Sequence, residues 1–134
     1  MKKLDQNKVR DSLRVASKDA KKWFLDKSIS SPRSDWKKVS CIAKNIRNIV
    51  YAFFDEAGSC IYVGVSKVEL KKRIHYKTSP HAKKPWWRKW KTVNVLEISN
   101  ASDRLFLEML LIISLMPSEN MKPAGRNIKD VFKS

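Results

Sequence analysis

Two apolar runs separated by a short turn, residues 48–54 and 59–65, constrain the fold most strongly. Both runs are rich in β-branched and aromatic side chains, which favour strands. The intervening "DEAG" segment, residues 55–58, ends in a glycine that can adopt the positive φ of a tight turn. The pattern therefore predicts an antiparallel β-hairpin.

Length and charge limit the classes of protein that this chain can belong to. With 134 residues, it is long enough for one domain with a modest core. It contains 29 Lys and Arg against 13 Asp and Glu, a formal net charge of +16. Such a chain binds polyanions, nucleic acid before an anionic membrane surface. We therefore expect nucleic acid as the partner.

No segment of the sequence predicts a membrane span or a secretory signal. The longest apolar stretch, residues 105–116, has 12 residues and contains Glu108, so it is too short to cross a bilayer. The first residues carry charges every few positions and include no apolar run. We expect a soluble, cytoplasmic protein in which Cys41 and Cys60 are buried, reduced thiols.

The N-terminal third predicts a basic helical extension, residues 1–45, packed on or adjoining a core at 46–134. Apolar residues recur at helical spacing over 4–27 and again over 35–46. The serine-rich segment 28–35, which contains a proline, is predicted to be a linker. The extension carries 13 basic and 5 acidic residues, a net of +8. It either reads DNA or consists of two ordinary solvated helices.

After the hairpin the pattern alternates between helix and strand. A basic amphipathic helix is predicted over 66–77, a loop with two prolines over 78–91, and a third strand over 92–98. Residues 102–116 predict a helix that is apolar on nearly all sides and therefore buried, ended by a proline. The predicted fold is α+β: a three-stranded antiparallel sheet flanked by helices.

The segment 67–91 is strongly basic, with ten basic residues and one acid. Its cations alternate with three tryptophans, a composition that binds phosphates and stacks on exposed bases. We expect at least one of the tryptophans to anchor the loop to the core and at least one to contact nucleic acid. The predicted nucleic-acid-binding residues are Lys67, Lys71, Lys72, Lys77, Lys83, Lys84, Trp86, Trp87, Arg88, Lys89, Trp90 and Lys91.

One acid stands out because Glu108 lies in the middle of the apolar helix, where a carboxylate is costly unless it is paired or binds a cation. Tyrosines on adjacent strands, Tyr51 and Tyr62, and a cation on the next helix, Arg73, can converge on one phosphate. A carboxylate pointing toward them would complete a hydrolytic site with one Mg²⁺ or Mn²⁺ bound through oxygen.

Four segments in this order resemble the GIY-YIG nuclease superfamily. They are "IVY" at 49–51, "IYVG" at 61–64, "LKKRI" at 70–74 and "LEMLLIISLMPSEN" at 107–120. The resemblance covers residues 48–121, the whole predicted core. It implies that Tyr51 positions the nucleophile and that Tyr62 is the general base. It further implies that Arg73 contacts the scissile phosphate, Glu108 binds the metal and Asn120 supports the site by hydrogen bonding.

The chain departs from the family pattern at several positions. Ile49 stands where the first motif has glycine, and Val65 stands where a lysine is common. Lys72 competes with Arg73 for the place of the catalytic cation, and we favour Arg73 because an apolar residue follows it.

A histidine or tyrosine one helical turn after the arginine is also usual in the family. Both His75 and Tyr76 are candidates, but only Tyr76, three residues on, shares the face of the arginine in a regular helix.

The resemblance implies a small DNA endonuclease of phage, mobile-element or restriction type. It would act as a monomer or homodimer, with each active site nicking one strand. The alternative is a non-catalytic nucleic-acid-binding protein of the same fold, which would explain the charge but not Glu108 with Asn120.

Overall fold

The fold is built on a four-stranded antiparallel sheet in a computed structural model that describes residues 6–38, 40–73 and 84–120. The strands are β1 (Ile29–Pro32), β2 (Ile49–Asp55), β3 (Cys60–Ser66) and β4 (Trp90–Glu97). Their order across the sheet is β1-β4-β2-β3. With helices packed against the sheet, the α+β prediction is confirmed.

Strand β2 is the centre of the core because both of its faces are buried. Tyr51 and Phe53 point into one apolar cluster, together with Val93 and Val95 of β4. The alternate β2 residues, including Val50, point into a second cluster on the other face. Six consecutive β2 residues are therefore buried. Many antiparallel strands instead alternate buried and exposed residues, because one face of their sheet is solvated.

Two long helices cover one face of the sheet. Helix α1 (Gln6–Lys27) packs against α4 (Ala101–Leu115), and Phe24 of α1 and Leu111 of α4 are both fully buried in the cluster on this face. The N-terminal segment therefore shares the core of the sheet. None of the helices in the described ranges is both long and apolar enough to cross a membrane.

Shorter elements cover the opposite face. They are α2 (Ile42–Asn45), α3 (Leu70–Arg73) and two 3₁₀ turns, Arg33–Asp35 and Pro85–Arg88. Ala43 of α2 and Leu70 of α3 are fully buried there beside the aromatic side chains of β2.

The hairpin prediction is confirmed, with β2 and β3 joined by the turn at 55–58. Gly58 has a φ of 84° and supplies the left-handed conformation that the turn needs. The Asp55 carboxylate accepts from the backbone N–H groups of Ala57 and Ser59. A local side chain therefore satisfies the turn, which is why the sequence signal was sufficient.

The predictions of a linker at 28–35 and of a three-stranded sheet are wrong. Ile29–Pro32 forms β1, which pairs with β4 at the edge of the sheet. A proline is compatible with an edge strand, where one side of the backbone needs no partner. The serine-rich composition concealed this strand because its stability comes from the hydrogen bonds that β4 offers.

The helix predicted over 35–46 is also wrong, since only Ile42–Asn45 is helical. Trp36 instead packs its ring against Trp87 and Trp90. Isolated helices of this length are marginal in water, so tertiary packing decides the backbone. Likewise the helix predicted over 66–77 begins only at Leu70, because residue 66 still belongs to β3; its predicted continuation past 73 lies outside the described residues.

Helix α4 has the predicted bounds within one residue. The Asn100 side chain accepts from the backbone N–H of Asp103 at 3.0 Å and caps its start, and Met116 ends it in the left-handed conformation. The prediction that α4 is buried on nearly all sides is wrong. Leu105 is 58% exposed and Phe106 is 61% exposed, because the sheet and α1 together cover only one side of the helix.

The double-sided burial of β2 predicts a large effect from truncating its central aromatic residue. Phe53→Ala should lower the free energy of unfolding by about 3–5 kcal/mol, because it leaves a cavity among packed rings. Urea denaturation measures this change. Val15→Ala, at a position that is 61% exposed, is the control and should stay within about 0.5 kcal/mol of wild type.

Candidate active site

The hairpin brings Tyr51 and Tyr62 together on one face of the sheet. In the β2–β3 register Tyr51 lies opposite Gly64, and Phe53 lies opposite Tyr62. The two tyrosine rings are 6.2 Å apart between centroids and are inclined by 28°. Tyr51 is almost completely buried, whereas Tyr62 is partly exposed, so Tyr62 presents the more accessible side of the pair.

Gly64 makes this arrangement possible. A Cβ at position 64 would lie 2.5 Å from both Cζ and the hydroxyl oxygen of Tyr51, and 2.9 Å from Cε1 of Tyr62. The Tyr51 ring therefore lies directly over the glycine, where no other residue leaves room for it. The glycine after the second tyrosine is thus a packing requirement of the tyrosine pair.

Trp86 continues the aromatic packing beyond Tyr62. Its ring lies 5.5 Å from the Tyr62 ring and is inclined by only 9°. Trp86, Trp87 and Trp90 are all buried, with exposed fractions of 5%, 8% and 0%. The prediction that at least one tryptophan anchors this segment is confirmed. Such burial leaves these three rings little surface for stacking on bases, so we assign them to packing.

A cleft of about 500 Å³ lies beside Trp86, and Tyr62 is not among the residues that line it. Two exposed cations, Lys84 and Lys89, line it together with the Trp86 ring. Asp55 and Glu119 also contribute to its walls, so the cleft contains both signs of charge.

Asn120 clamps the backbone between Tyr62 and Gly64. Its Oδ1 accepts from the N–H of Val63 at 2.7 Å, and its Nδ2 donates to the carbonyl of Val63 at 2.8 Å. The backbone N–H of Glu119 also donates to the carbonyl of Ile61 at 2.9 Å. The segment after α4 therefore holds the outer edge of β3, which fixes the position of the strand that carries Tyr62.

Glu108 is half-buried on α4, and burial raises the pKa of its carboxyl above the usual range. It makes no hydrogen bond or ion pair with another described residue. Arg104, one turn earlier, donates instead to the carbonyls of Ile98 and Ser99. Among residues 6–38, 40–73 and 84–120, the carboxylate thus has no neutralising partner, which is the ordinary explanation for an acid in an apolar helix.

The helix that carries Glu108 packs on the face of the sheet opposite the tyrosine rings. Leu107 and Leu111 of α4 lie in the cluster with Val63, whereas Tyr51 lies in the other cluster. The structure therefore groups Tyr51, Tyr62 and Asn120 around β3. It places Glu108 on a helix that packs on the other face, so the predicted convergence of this carboxylate on the two tyrosines is not observed.

The remaining predicted site residues fall into two groups. The side chain of Arg73 and residues His75, Tyr76, Lys77 and Lys83 lie outside the described part. Lys72 is largely exposed and forms an ion pair with Glu69 at 3.6 Å, which favours a surface role over that of the catalytic cation. The other predicted cations within the described ranges are all exposed: Lys67, Lys71, Lys84, Arg88, Lys89 and Lys91.

Two other kinds of site find no support in the described ranges. Burial raises the pKa of the Cys60 thiol to about 12, so it stays protonated at neutral pH and is a poor nucleophile. No group of three or more His, Cys, Asp and Glu side chains there could hold a metal ion between them. A metal centre with three or more such side-chain ligands is therefore absent from these residues.

Sequence reasoning missed a second aromatic cleft, formed by Arg33 and Trp36 against Trp87 and Trp90. Basic and aromatic residues alternate around 33–38 as they do around 83–91, and that composition was the available signal. The sequence does not show that the two segments meet, because they are about fifty positions apart.

No model of a known protein family matches the chain, and no curated protein matches its sequence. The functional argument consequently depends on the residues and their geometry.

The contact over Gly64 predicts a coupling between two substitutions. Gly64→Ala should lower the free energy of unfolding by about 1–3 kcal/mol, because the new methyl group displaces the Tyr51 ring. In a Tyr51→Leu background the same change should cost at least about 0.5 kcal/mol less, as measured by urea denaturation of all four proteins.

Gly58→Ala is the matched control for this cycle. Replacing Gly58 should also destabilise the protein, because its φ of 84° is unfavourable for alanine. The added Cβ would meet no neighbouring atom within 4 Å, so no side-chain contact is involved. Its effect should therefore be the same with Tyr51 or Leu at position 51. If Gly64→Ala also cost the same free energy of unfolding with Tyr51 and with Leu at position 51, the close contact between position 64 and the Tyr51 ring would be contradicted.

Proposed function

We propose that this protein is a divalent-metal-dependent DNA endonuclease of the GIY-YIG type. The observation that carries the proposal is the tyrosine pair seated over Gly64 on adjacent strands, with exposed cations on the elements that follow. A packing role explains Tyr51, which is buried. Tyr62, by contrast, is partly exposed, yet it stacks on Trp86 and lies on the strand that Asn120 clamps at Val63.

Each residue has a distinct role in the proposed hydrolysis. Tyr62 accepts the proton of the attacking water, and because an unperturbed tyrosine has a pKa of about 10 it needs nearby positive charge to act near neutrality. Tyr51 orients the nucleophile and the substrate, and Arg73 contacts the scissile phosphate. Asn120 is a positioning residue, since it acts through the backbone of Val63.

The donor chemistry of Glu108 fits Mg²⁺ or Mn²⁺. A half-buried carboxylate without a cationic neighbour in the described ranges is stabilised when it binds a hard cation. Mg²⁺ often binds through one or two carboxylates and keeps several waters, so a single protein ligand is compatible with it. When bound, the metal would neutralise phosphate charge and lower the pKa of a water.

The substrate class follows from the charge. Lys84 and Lys89 line the cleft beside Trp86, and Arg88 and Lys91 are exposed on the same segment. Phosphate contacts dominate affinity for DNA. With one set of site residues per chain, each active site cuts one strand. A double-strand break then requires two copies or two successive events.

A second candidate function is non-catalytic binding of nucleic acid on the same fold. The position of α4 favours it, because that helix packs on the face opposite the tyrosine rings. The same cations would bind the phosphates in either case, so only a catalytic assay separates the two candidates.

Relaxation of supercoiled plasmid in the presence of Mg²⁺ tests the enzymatic proposal. Tyr62→Phe should lower the nicking rate by roughly 10²- to 10⁴-fold, the usual contribution of a general base, while DNA binding stays close to wild type. Glu108→Gln should abolish the Mg²⁺-dependent nicking, because it removes the proposed metal ligand. Glu97→Gln, an exposed acid on β4, is the matched control and should leave the rate unchanged. Wild-type protein that binds DNA but gives no metal-dependent nicks would leave only the second candidate.

Stability against pH tests the metal site independently of activity. Because the folded-state pKa of Glu108 is raised, the folded protein holds this proton to a higher pH than the unfolded chain. The cost of ionising the buried carboxyl is absent below the unfolded pKa and grows until the pH passes the folded pKa. Glu108→Gln should therefore gain stability relative to wild type across that window and keep the gain above it.

At neutral pH, Mg²⁺ should offset the lower stability of wild type relative to Glu108→Gln. A ligand that binds only the folded state raises its stability, so Mg²⁺ should raise the melting temperature of wild type and leave Glu108→Gln unchanged. Equal shifts in both proteins would exclude Glu108 as the ligand.

A further inference from the structure

A second cleft, of about 360 Å³, lies between the segment after β1 and the start of β4. Its lining consists of Arg33, Ser34, Trp36, Lys37, Trp87 and Trp90. The volume is at the small end of the range of about 300–1,000 Å³ for small-molecule sites. Both elements are held by β1–β4 pairing, so the cleft is part of the folded core.

Its aromatic wall is made of three tryptophans that contact one another edge to face. Trp36 lies 5.9 Å from Trp87 and 5.5 Å from Trp90 between ring centroids, with planes near 77°. Trp87 and Trp90 are themselves 5.5 Å apart. These two are buried, whereas Trp36 is partly exposed. Trp36 is therefore a rigidly supported ring with surface available to a ligand.

The polar side of the cleft is cationic and lacks a counter-charge. Nη1 of Arg33 donates to the carbonyls of Trp87 and Trp90, and its guanidinium carbon lies 4.9 Å from the centroid of the Trp90 ring. No described carboxylate pairs with Arg33, and burial lowers the pKa of its guanidinium. The adjacent Asp35 pairs with Lys38 instead. A guanidinium has five donors, so those on Nε and Nη2 are left for a ligand.

We propose that this cleft binds one nucleotide of a nucleic-acid strand, with the base on Trp36 and the phosphate on Arg33 and Lys37. An aromatic cage with two cations already in its lining disfavours a cationic ligand and favours a planar anion. The indole N–H of Trp90 is buried and has no acceptor among the described residues. Trp90 is 0% exposed, so this donor is shielded from a ligand in the cleft, and Trp90 supports the site through its ring alone.

The identity of the ligand as part of a substrate strand rests on the proposed function. A continuous series of ring contacts joins the cleft to the tyrosine pair: Tyr62 to Trp86, Trp86 to Trp87, and Trp87 to Trp36. All of these rings belong to the same apolar cluster on one face of the sheet. A strand bound beside Tyr62 can thus place a nucleotide further along the same strand on Trp36.

Binding of a fluorescein-labelled oligothymidylate, measured by polarisation in EDTA, tests the inference without catalysis. Trp36→Ala should weaken binding roughly 5- to 150-fold, the usual range for losing one base stack, and Trp36→Phe should retain most of the affinity. Lys37→Ala should weaken binding and lower the salt slope by about 1, because it removes one phosphate contact.

The matched controls are Trp23→Ala and Lys22→Ala, an exposed tryptophan and an exposed lysine on α1 away from the cleft. Both should bind like wild type. As a direct probe, thymidine 5′-monophosphate should compete better than inorganic phosphate or thymidine alone. Competition by inorganic phosphate as strong as that by the nucleotide would overturn the base-stacking site, and so would a Trp36→Ala variant that is folded and binds like wild type.

The two proposals fail in different ways. A protein that nicks plasmid while Trp36→Ala binds normally overturns the nucleotide cleft alone. A protein that binds through Trp36 but never nicks supports the cleft and overturns the proposed enzyme.

Discussion

The burial of β2 on both faces is the constraint on which the rest of the structure depends. Tyr51 and Phe53 enter one cluster, while Val50, Ala52 and Phe54 enter the other, so both layers of helices and turns are positioned by the same seven-residue strand. Because both faces of β2 are covered, its first six residues are all apolar and buried. The backbone of β2 then pairs with β3 on one side and with β4 on the other.

Close packing of the Tyr51 ring over Gly64 positions the side chains of the candidate active site. Because the Tyr51 ring occupies the space above Gly64, the second tyrosine is held beside it at the rim of the cluster. The backbone clamp from Asn120 and the stacked ring of Trp86 hold the same strand and side chain from two further directions. Fixing the Tyr62 side chain and its strand by these contacts costs conformational entropy. Packing of a partly exposed tyrosine on an edge strand does not by itself require that cost.

The tryptophans have a different role from the one that composition indicates. A run of alternating tryptophans and lysines is typical of nucleic-acid-binding surfaces, yet Trp86, Trp87 and Trp90 fill the core. Their burial separates the two properties of the segment: the rings stabilise the fold, and the intervening cations remain exposed. The partly exposed ring of the second cleft is supplied by Trp36, from a segment that the sequence pattern had assigned to an ordinary helix.

The sequence by itself determined the features with local causes: the hairpin and its Gly58 turn, helix α1, the bounds of α4 and the large positive charge. Only the tertiary structure decided the features with distant partners. Strand β1 exists because β4 offers its backbone, and the 35–46 segment is mostly not helical where Trp36 packs against rings fifty positions away. One side of α4 stays exposed because nothing among the described residues covers it. Local propensity is worth a few tenths of a kcal/mol per residue, so packing and strand pairing override it wherever they compete.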